Sequence, residues 1–219
     1  MNRRAFLATG ALTTASVLAG CSGSDDGVTL VSLDTVYEWH QNDEAQFIDT
    51  RGQLQYNANH IAGAHLSTAP NGVANDPTAE WDHGTKIVAY CDCPHSLALQ
   101  RGETLIEDGF TDLNALEPGY PAWQEAGYPT ESNVVADVAE YDIRGMADPA
   151  DAGEYVWVSD PDGGQHEVSP VESDGSYQLT FRFADLEDES VLHVETPSYA
   201  GEATLEALTE DVVTERTLV

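Results

Sequence analysis

Short apolar runs alternate with helix-like stretches from about residue 28 to residue 131. Apolar segments of strand length lie at residues 28–31, 46–48, 61–66, 86–90 and 113–116. Apolar residues at helical spacing follow at 33–40, 97–106 and 120–126, and Gly109 and Gly127 end the second and third of these helices. Strands that alternate with helices predict an α/β domain with a three-layer arrangement around a mostly parallel sheet.

The pattern changes after about residue 132. Period-two alternation predicts strands at 141–144, 154–158, 177–183 and 191–194, separated by turns rich in Asp, Pro and Gly. Regular short strands of this kind predict a small all-β domain, an Ig-like sandwich, at residues 133–219. Its acidic residues are expected mainly in turns and on exposed faces, and no catalytic cluster is recognised in it.

The first twenty residues are typical of an export signal and not of a fold. Arg3 and Arg4 form a twin-arginine pattern, followed by a weakly apolar stretch, and residues 18–21 read Leu-Ala-Gly-Cys. We therefore predict a signal peptide at 1–20, lipid attachment at Cys21 and a polar tether at 21–27. The α/β domain then occupies 28–132, and the mature protein is expected on the outer face of the cell membrane.

Acidic residues are spread along the whole chain. There are 39 acidic and 8 basic side chains among 219 residues, which gives a formal net charge of -31. Such a coat is typical of a halophilic protein, because concentrated salt screens the repulsion within a few ångströms. The same charge excludes nucleic acid as an expected partner, since a polyanion would be repelled.

The strongest candidate for a catalytic residue is Cys91, which directly follows the predicted strand 86–90. It opens a polar loop, Cys91-Asp92-Cys93-Pro94-His95-Ser96, before the next predicted helix. Loop N–H groups and a helix N-terminus both favour negative charge, and hence the nucleophilic thiolate. A disulfide between Cys91 and Cys93 would be strained, so the pair is more plausibly reactive than structural.

Three further motifs flank this loop in order. The first motif is Asp49-Thr50-Arg51, at the end of a predicted strand. The second, a few residues later, is Tyr56-x-x-x-His60-Ile61-x-Gly-Ala, and the third is LEPGYPAWQEAGYP at residues 116–129. Together with the strand–Cys–loop–helix element, these motifs resemble the rhodanese family of single-domain sulfurtransferases over about residues 31–131. The second domain is not part of this resemblance.

The resemblance implies a mechanism and a set of residue roles. Cys91 is expected to take the outer sulfur of a donor, thiosulfate or a persulfide, and to pass it from a persulfide to a thiol acceptor. Asp49 and Arg51 are expected to tie strand ends together, and His60 to stabilise the fold. No cofactor is expected.

The loop departs from the family pattern in ways that affect anion binding. It contains Asp92 and no Arg or Lys, and Pro94 lacks an N–H donor. The nearest base in sequence is Arg101 on the following helix. Thiosulfate, an anion, is therefore expected to bind less favourably here than at a loop with basic residues. Leu97 stands where related phosphatases carry an arginine, which argues against phosphate chemistry.

Three alternatives to sulfur transfer stay open at this point. Cys93 and Cys91 together would suit a thiol redox protein. The whole chain would suit a non-catalytic surface module, in which the sandwich binds a protein partner. A metal site at Cys91, Cys93 and His95 is the least favoured alternative. One loop supplies only three ligands, and no second ligand motif that would complete the site is recognised in the sequence.

Overall fold

The computed structural model describes residues 27–92, 95–134, 136, 138–162 and 164–218. The predicted signal peptide, Cys21 and almost all of the tether, as well as Cys93 and Pro94, lie outside these residues. The helices are α1 (Leu33–Gln41), α2 (Gln53–Ala58), α3 (Ser96–Glu107), α4 (Gly119–Glu125) and α5 (Leu205–Glu210). The strands are β1 (Thr29–Val31), β2 (Gln46–Asp49), β3 (His60–Ile61), β4 (His65–Leu66), β5 (Lys86–Tyr90), β6 (Asp112–Leu116), β7 (Thr130–Glu131), β8 (Val138–Met146), β9 (Tyr155–Asp160), β10 (Gln165–Pro170), β11 (Ser176–Ala184), β12 (Val191–Glu195) and β13 (Ala200–Thr204).

The first part of the chain is built on a parallel sheet, as predicted. Its strand order is β1-β6-β5-β2-β4, and every pairing is parallel. The central strand β5 pairs with β2 so that Tyr90 stands opposite Asp49. The carboxyl ends of these two strands therefore meet at one edge, where the Cys91 turn begins.

The alternation of side chains along β5 divides the core of this part into two clusters. Ile87 and Ala89 pack on one face with Leu97 and Leu105 of α3. Val88 and Tyr90 pack on the other face, with α1 and with Tyr120 and Trp123 of α4. Because both faces of the parallel sheet are covered, its strands read as continuous apolar runs. Helix α3 ends at the predicted place, where Gly109 has a φ of 103° that other residues rarely adopt.

The second part of the chain contains two antiparallel sheets around a separate core. One sheet has the order β10-β9-β12-β13, and the other pairs β11 with β8. Along β11, the side chains of Tyr177, Leu179, Phe181 and Phe183 alternate with more exposed residues and fill the core between the sheets. An all-β region is therefore present, while its assignment as an Ig-like sandwich stays a prediction.

The elements of this second part differ in part from the sequence prediction. It is not purely β, because Leu205 and Leu208 of α5 pack into its core and the Thr204 side chain accepts a hydrogen bond from the Ala207 N–H. Among its acidic residues, which are expected mainly in turns and on exposed faces, Glu167 is an exception: it is fully buried and its side chain accepts from the Val168 N–H. The strands β10 and β13 were not predicted from the alternation pattern.

Candidate functional site

Three charged side chains form a buried chain at the carboxyl edge of the parallel sheet. The Arg51 guanidinium donates from Nε and Nη2 to the two Asp49 oxygens at 2.9 and 2.7 Å. It donates from Nη1 to both Asp92 oxygens at 2.9 and 3.1 Å. Because all three side chains are almost fully buried, Arg51 ties the end of β2 to the turn after β5.

Asp92 lies in this ion-pair chain and not in solvent. Burial raises the pKa of Asp92, and the positive charge of Arg51 opposes that shift. Burial alone would lower the pKa of Arg51, but the carboxylates of Asp49 and Asp92 hold it well above its ordinary value. Arg51, which lies 41 positions earlier in the chain, thus largely neutralises the negative charge of Asp92. From the sequence alone, Asp92 was an isolated acid in the loop.

Cys91 lies in the turn immediately after β5 and is fully buried. Its backbone carbonyl accepts a hydrogen bond of 2.8 Å from the Tyr120 N–H at the start of α4. Its side chain belongs to the cluster on the α3 face, which includes Ala69, Leu97 and Val168. Apolar side chains therefore surround part of this thiol, and the sequence did not predict them. The expectation that loop N–H groups and the start of α3 favour the thiolate stays a prediction.

The second part of the chain covers the edge that carries Cys91. Val168 of β10 packs in the same apolar cluster as Cys91, with Trp157 of β9 beside it. The Gln55 side chain on α2 donates to the Arg182 carbonyl on β11 at 3.1 Å and to Asp92 Oδ2 at 3.3 Å. A methyl group added at Gly52 would lie 2.3 Å from the Gly164 carbonyl oxygen, so the two backbones are in direct contact.

The remaining predicted site residues lie around this edge. His60 is buried, stacks on Tyr56 and bonds through Nδ1 to the Tyr56 carbonyl at 2.7 Å, in keeping with a stabilising role. His95 and Ser96 are partly exposed, and His95 Nδ1 is 3.3 Å from the Glu117 carbonyl. Cys93 and Pro94 lie outside the described residues.

Arg101 does not reach the ion-pair chain of Arg51. It is buried on α3, where its guanidinium bonds Ser67 at 2.8 Å and lies 3.4 Å from Asp76. Asp76 in turn accepts from Ser67, Val73 and Thr78, and although burial acts to raise its pKa, these hydrogen bonds bring it below its usual value. Arg101 therefore holds a separate loop, residues 67–78, against α3, and it does not supply the cation that the Cys91 loop lacks.

A cavity of about 350 Å³ lies between the two parts of the chain, next to Asp92. Its polar lining comes from both: Arg51, Gln55, Asn59, Asp92, Tyr120 and Arg182 are its main polar residues. No sequence signal marked Arg182 as a site residue, because it lies on a strand of the second domain far along the chain. Among the described residues, no group of three His, Cys, Asp or Glu side chains is placed to hold a metal ion. None of the helices in those ranges has the length and apolar character needed to cross a bilayer.

The comparison with protein families identifies the first part of the chain. Residues 32–126 match the family model of the rhodanese-like domain. This segment is a rhodanese-like domain. The match includes Asp49, Arg51 and Cys91 and ends before β8, so the second part of the chain lies outside it.

Relatives of this rhodanese-like domain include an enzyme. The thiosulfate sulfurtransferase GlpE of Shewanella oneidensis is 28% identical over 97 residues, which is 44% of this chain and 92% of that protein. Among solved structures, the Alr3790 protein of Anabaena is 21% identical with a TM-score of 0.43, covering 48% of this chain and 84% of that one. BH2092 from Bacillus halodurans is 19% identical with a TM-score of 0.43, covering 49% and 80%.

Proposed function

We propose that this protein transfers sulfane sulfur through a persulfide on Cys91. The observation that carries the proposal is the position of Cys91: it follows the central strand of a rhodanese-like domain directly, at the turn into α3. The similarity to a thiosulfate sulfurtransferase supports the same reaction class. The sulfur donor is thiosulfate or a persulfide, and the acceptor is a thiol.

The reaction has two displacement steps. The Cys91 thiolate attacks the outer sulfur of the donor and forms a new S–S bond, while the bond within the donor breaks. With thiosulfate, sulfite leaves with the electron pair. A thiolate acceptor then attacks the outer sulfur of the Cys91 persulfide, and Cys91 leaves as the thiolate, ready for another cycle. No external oxidant or reductant is consumed.

The surroundings of Cys91 set two conditions on this reaction. Because Arg51 neutralises much of the Asp92 charge, an incoming anion meets less repulsion than the loop sequence predicts. Because Cys91 is fully buried, in an apolar cluster that includes Val168, we expect sulfur loading to require movement of the turn or of strand β10. Loading is therefore expected to be slow unless that movement is frequent.

Steady-state transfer from thiosulfate to a thiol, measured as sulfite release in concentrated salt, tests the proposal. The wild-type chain is expected to turn over, Cys91→Ser to be inactive and Cys93→Ser to retain most of the activity. Activity that survives in Cys91→Ser, or that disappears equally in Cys93→Ser, would be incompatible with a Cys91 persulfide.

A second candidate function is a non-catalytic module that binds a protein partner at the cell surface. The complete burial of Cys91 favours it, because a thiol without access to a donor carries no sulfur. In this case no donor loads the wild-type chain. The redox use of Cys91 and Cys93 stays a third prediction, and mild oxidation that removes two hydrogen atoms from the chain would support it.

We also propose that the protein is exported and anchored by lipid on Cys21, with the tether holding both domains outside the membrane. The twin-arginine pattern and the Leu-Ala-Gly-Cys sequence support this location. Cell fractionation tests it: Cys21→Ser is expected to move the protein from the membrane fraction to the medium. Membrane retention equal to that of the wild type would count against the anchor.

A further inference from the structure

The charge beside the Cys91 turn depends on a side chain of the second domain. Among the basic side chains in the described part of the chain, those of Arg51 and Arg182 line the cavity next to Asp92. Arg51 uses Nε, Nη1 and Nη2 in its hydrogen bonds to Asp49, to Asp92 and to the carbonyl of residue 59. Arg182 is therefore the cation of this cavity that is not already committed to the buried ion-pair network.

The guanidinium of Arg182 has donors to spare. Among the described residues, Glu140 is the one acceptor that it bonds, through Nη2, and the two residues stand opposite each other on β11 and β8. The Arg182 side chain is 29% exposed and that of Glu140 is 48% exposed. An ion pair at this exposure contributes little to stability, and concentrated salt weakens it further. Most of the N–H donors of Arg182 are therefore available to an incoming anion.

Arg182 is also held close to the turn that carries Cys91. One buried amide, that of Gln55, donates to the Arg182 carbonyl at 3.1 Å and to Asp92 Oδ2 at 3.3 Å. Burial, the largest effect, raises the pKa of Asp92, and the positive charges of Arg51 and Arg182 oppose that shift. Because Asp92 directly follows Cys91, the charge of Arg182 acts on the turn beside the thiol.

Without Arg182, this turn carries uncompensated negative charge. Asp49, Arg51 and Asp92 together leave one net negative charge, because two carboxylates face one guanidinium. The charge of Arg182 offsets it. Glu140 counters Arg182 only from a half-exposed position, where solvent and salt screen its charge more strongly than those of the buried network.

We propose that Arg182 is a specificity-determining residue for the sulfur donor, because it offsets the negative charge of the turn and so admits an anionic donor to Cys91. The inference rests on the proposed sulfur transfer. The loop 91–96 contains no Arg or Lys, and the second domain supplies the cation that this loop lacks. Since the Coulomb energy is proportional to the charge of the donor, the effect of Arg182 grows with that charge.

Two donors of similar shape and different charge test this specificity. Thiosulfate carries two negative charges, and methanethiosulfonate, in which a methyl group replaces one oxygen, carries one. Each donor transfers its outer sulfur to the Cys91 thiolate, and sulfite or methanesulfinate leaves with the electron pair. The second-order rate of sulfur loading is measured by intact mass on the full-length chain with Cys21→Ser and Cys93→Ser, in concentrated salt.

Substitutions by glutamine remove single charges and keep the side chains polar. Arg182→Gln is expected to slow loading from thiosulfate about tenfold and from methanethiosulfonate about threefold, because halving the donor charge halves the energetic effect. Glu140→Gln frees Arg182 and should speed loading from thiosulfate at least about twofold. Arg144→Gln removes an exposed arginine that lines a different cavity, and it should change neither rate. An equal loss for both donors in Arg182→Gln would indicate a merely structural role and overturn the proposal, as would unchanged rates.

A measurement that needs no sulfur transfer separates this inference from the proposed function. Methanethiosulfonate esters with a sulfonatoethyl or a trimethylammonioethyl group modify thiols, and the ratio of their rates reports the charge around Cys91, since both need the same opening of the turn. Arg182→Gln should lower the ratio of anionic to cationic modification about tenfold. A shifted ratio in a chain that no donor loads refutes sulfur transfer, and with it the donor specificity, but leaves the charge effect of Arg182. Sulfur loading with an unchanged ratio refutes the role of Arg182 alone.

Discussion

Asp92 illustrates how a contact between distant residues changes the chemistry of one side chain. In the sequence it is an acid in a loop that is expected to receive an anion. In the folded chain, Arg51 holds both of its oxygens, and Arg51 itself is fixed by Asp49. A sulfur donor therefore meets an ion-pair network of Asp49, Arg51 and Asp92, and not an isolated carboxylate. Two carboxylates and one guanidinium give this network one net negative charge.

Because Arg51 pairs with both buried carboxylates, we expect its removal to lower the stability of this edge of the sheet more than the loss of any neighbouring side chain. Arg51→Ala leaves the Asp49 and Asp92 carboxylates buried without their cation, so we expect the free energy of unfolding to fall by about 3–5 kcal/mol. Urea denaturation in concentrated salt measures the change. Arg216→Ala, which removes an exposed arginine, serves as the control and should change stability by less than about 0.5 kcal/mol. Equal effects for the two variants would contradict the structural role of Arg51.

At the scale of elements, strand β10 is the part of the second domain that packs in the same apolar cluster as Cys91. Val168 faces the Cys91 cluster, and its cross-strand partner Trp157 lies at the same interface. We therefore expect packing between the domains to limit access to the thiol.

Introducing charge into this interface is expected to expose Cys91. In a chain with Cys21→Ser and Cys93→Ser, Val168→Asp should raise the rate of Cys91 modification by an aromatic disulfide reagent at least about tenfold, a shift of about 1.4 kcal/mol in the opening equilibrium. Val191→Asp makes the same change at a half-exposed valine on β12 and should leave the rate unchanged. Rapid labelling in the absence of Val168→Asp would show that β10 does not protect the thiol.

His166, on the same strand, makes the interface sensitive to acid. Burial lowers its pKa below 6.5, although a hydrogen bond to the Ala69 carbonyl opposes the shift. The unfolded chain therefore takes up this proton at higher pH than the folded chain, and stability present above about pH 6.5 is lost as the pH falls through that value. His166→Gln should flatten the fall in unfolding free energy between about pH 7 and pH 5, as measured by denaturation at several pH values. An unchanged pH profile would contradict this assignment.

The sequence was sufficient for elements whose signals are local. The apolar run of β5, the glycine after α3 and the motifs around Asp49 and Cys91 predicted the parallel sheet and the position of the thiol. It was not sufficient for contacts between distant residues, because neither Val168 nor Arg182 carries a local signal of a role at Cys91. Strand β10 contains His166 and Glu167, polar residues that broke the apolar alternation, and so it was missed.

At the scale of the whole molecule, we expect the acidic coat to make stability depend on salt. With a net charge of -31, self-repulsion is strong in dilute buffer and is screened within a few ångströms in molar salt. We therefore expect the thermal midpoint to fall steeply as salt is removed, measured by circular dichroism over a dilution series. A midpoint independent of salt would contradict the halophilic assignment.

The central claim is that Cys91 carries transferable sulfur within a rhodanese-like domain. Its most direct test is the intact mass of the full-length chain after incubation with thiosulfate or a persulfide donor in concentrated salt, followed by fragmentation of the peptide that contains Cys91 and Cys93. The account predicts a gain of one sulfur atom, located on Cys91, that disappears on addition of a thiol and is absent in Cys91→Ser. A chain that gains no sulfur from any donor, or that carries it on Cys93, would contradict the account.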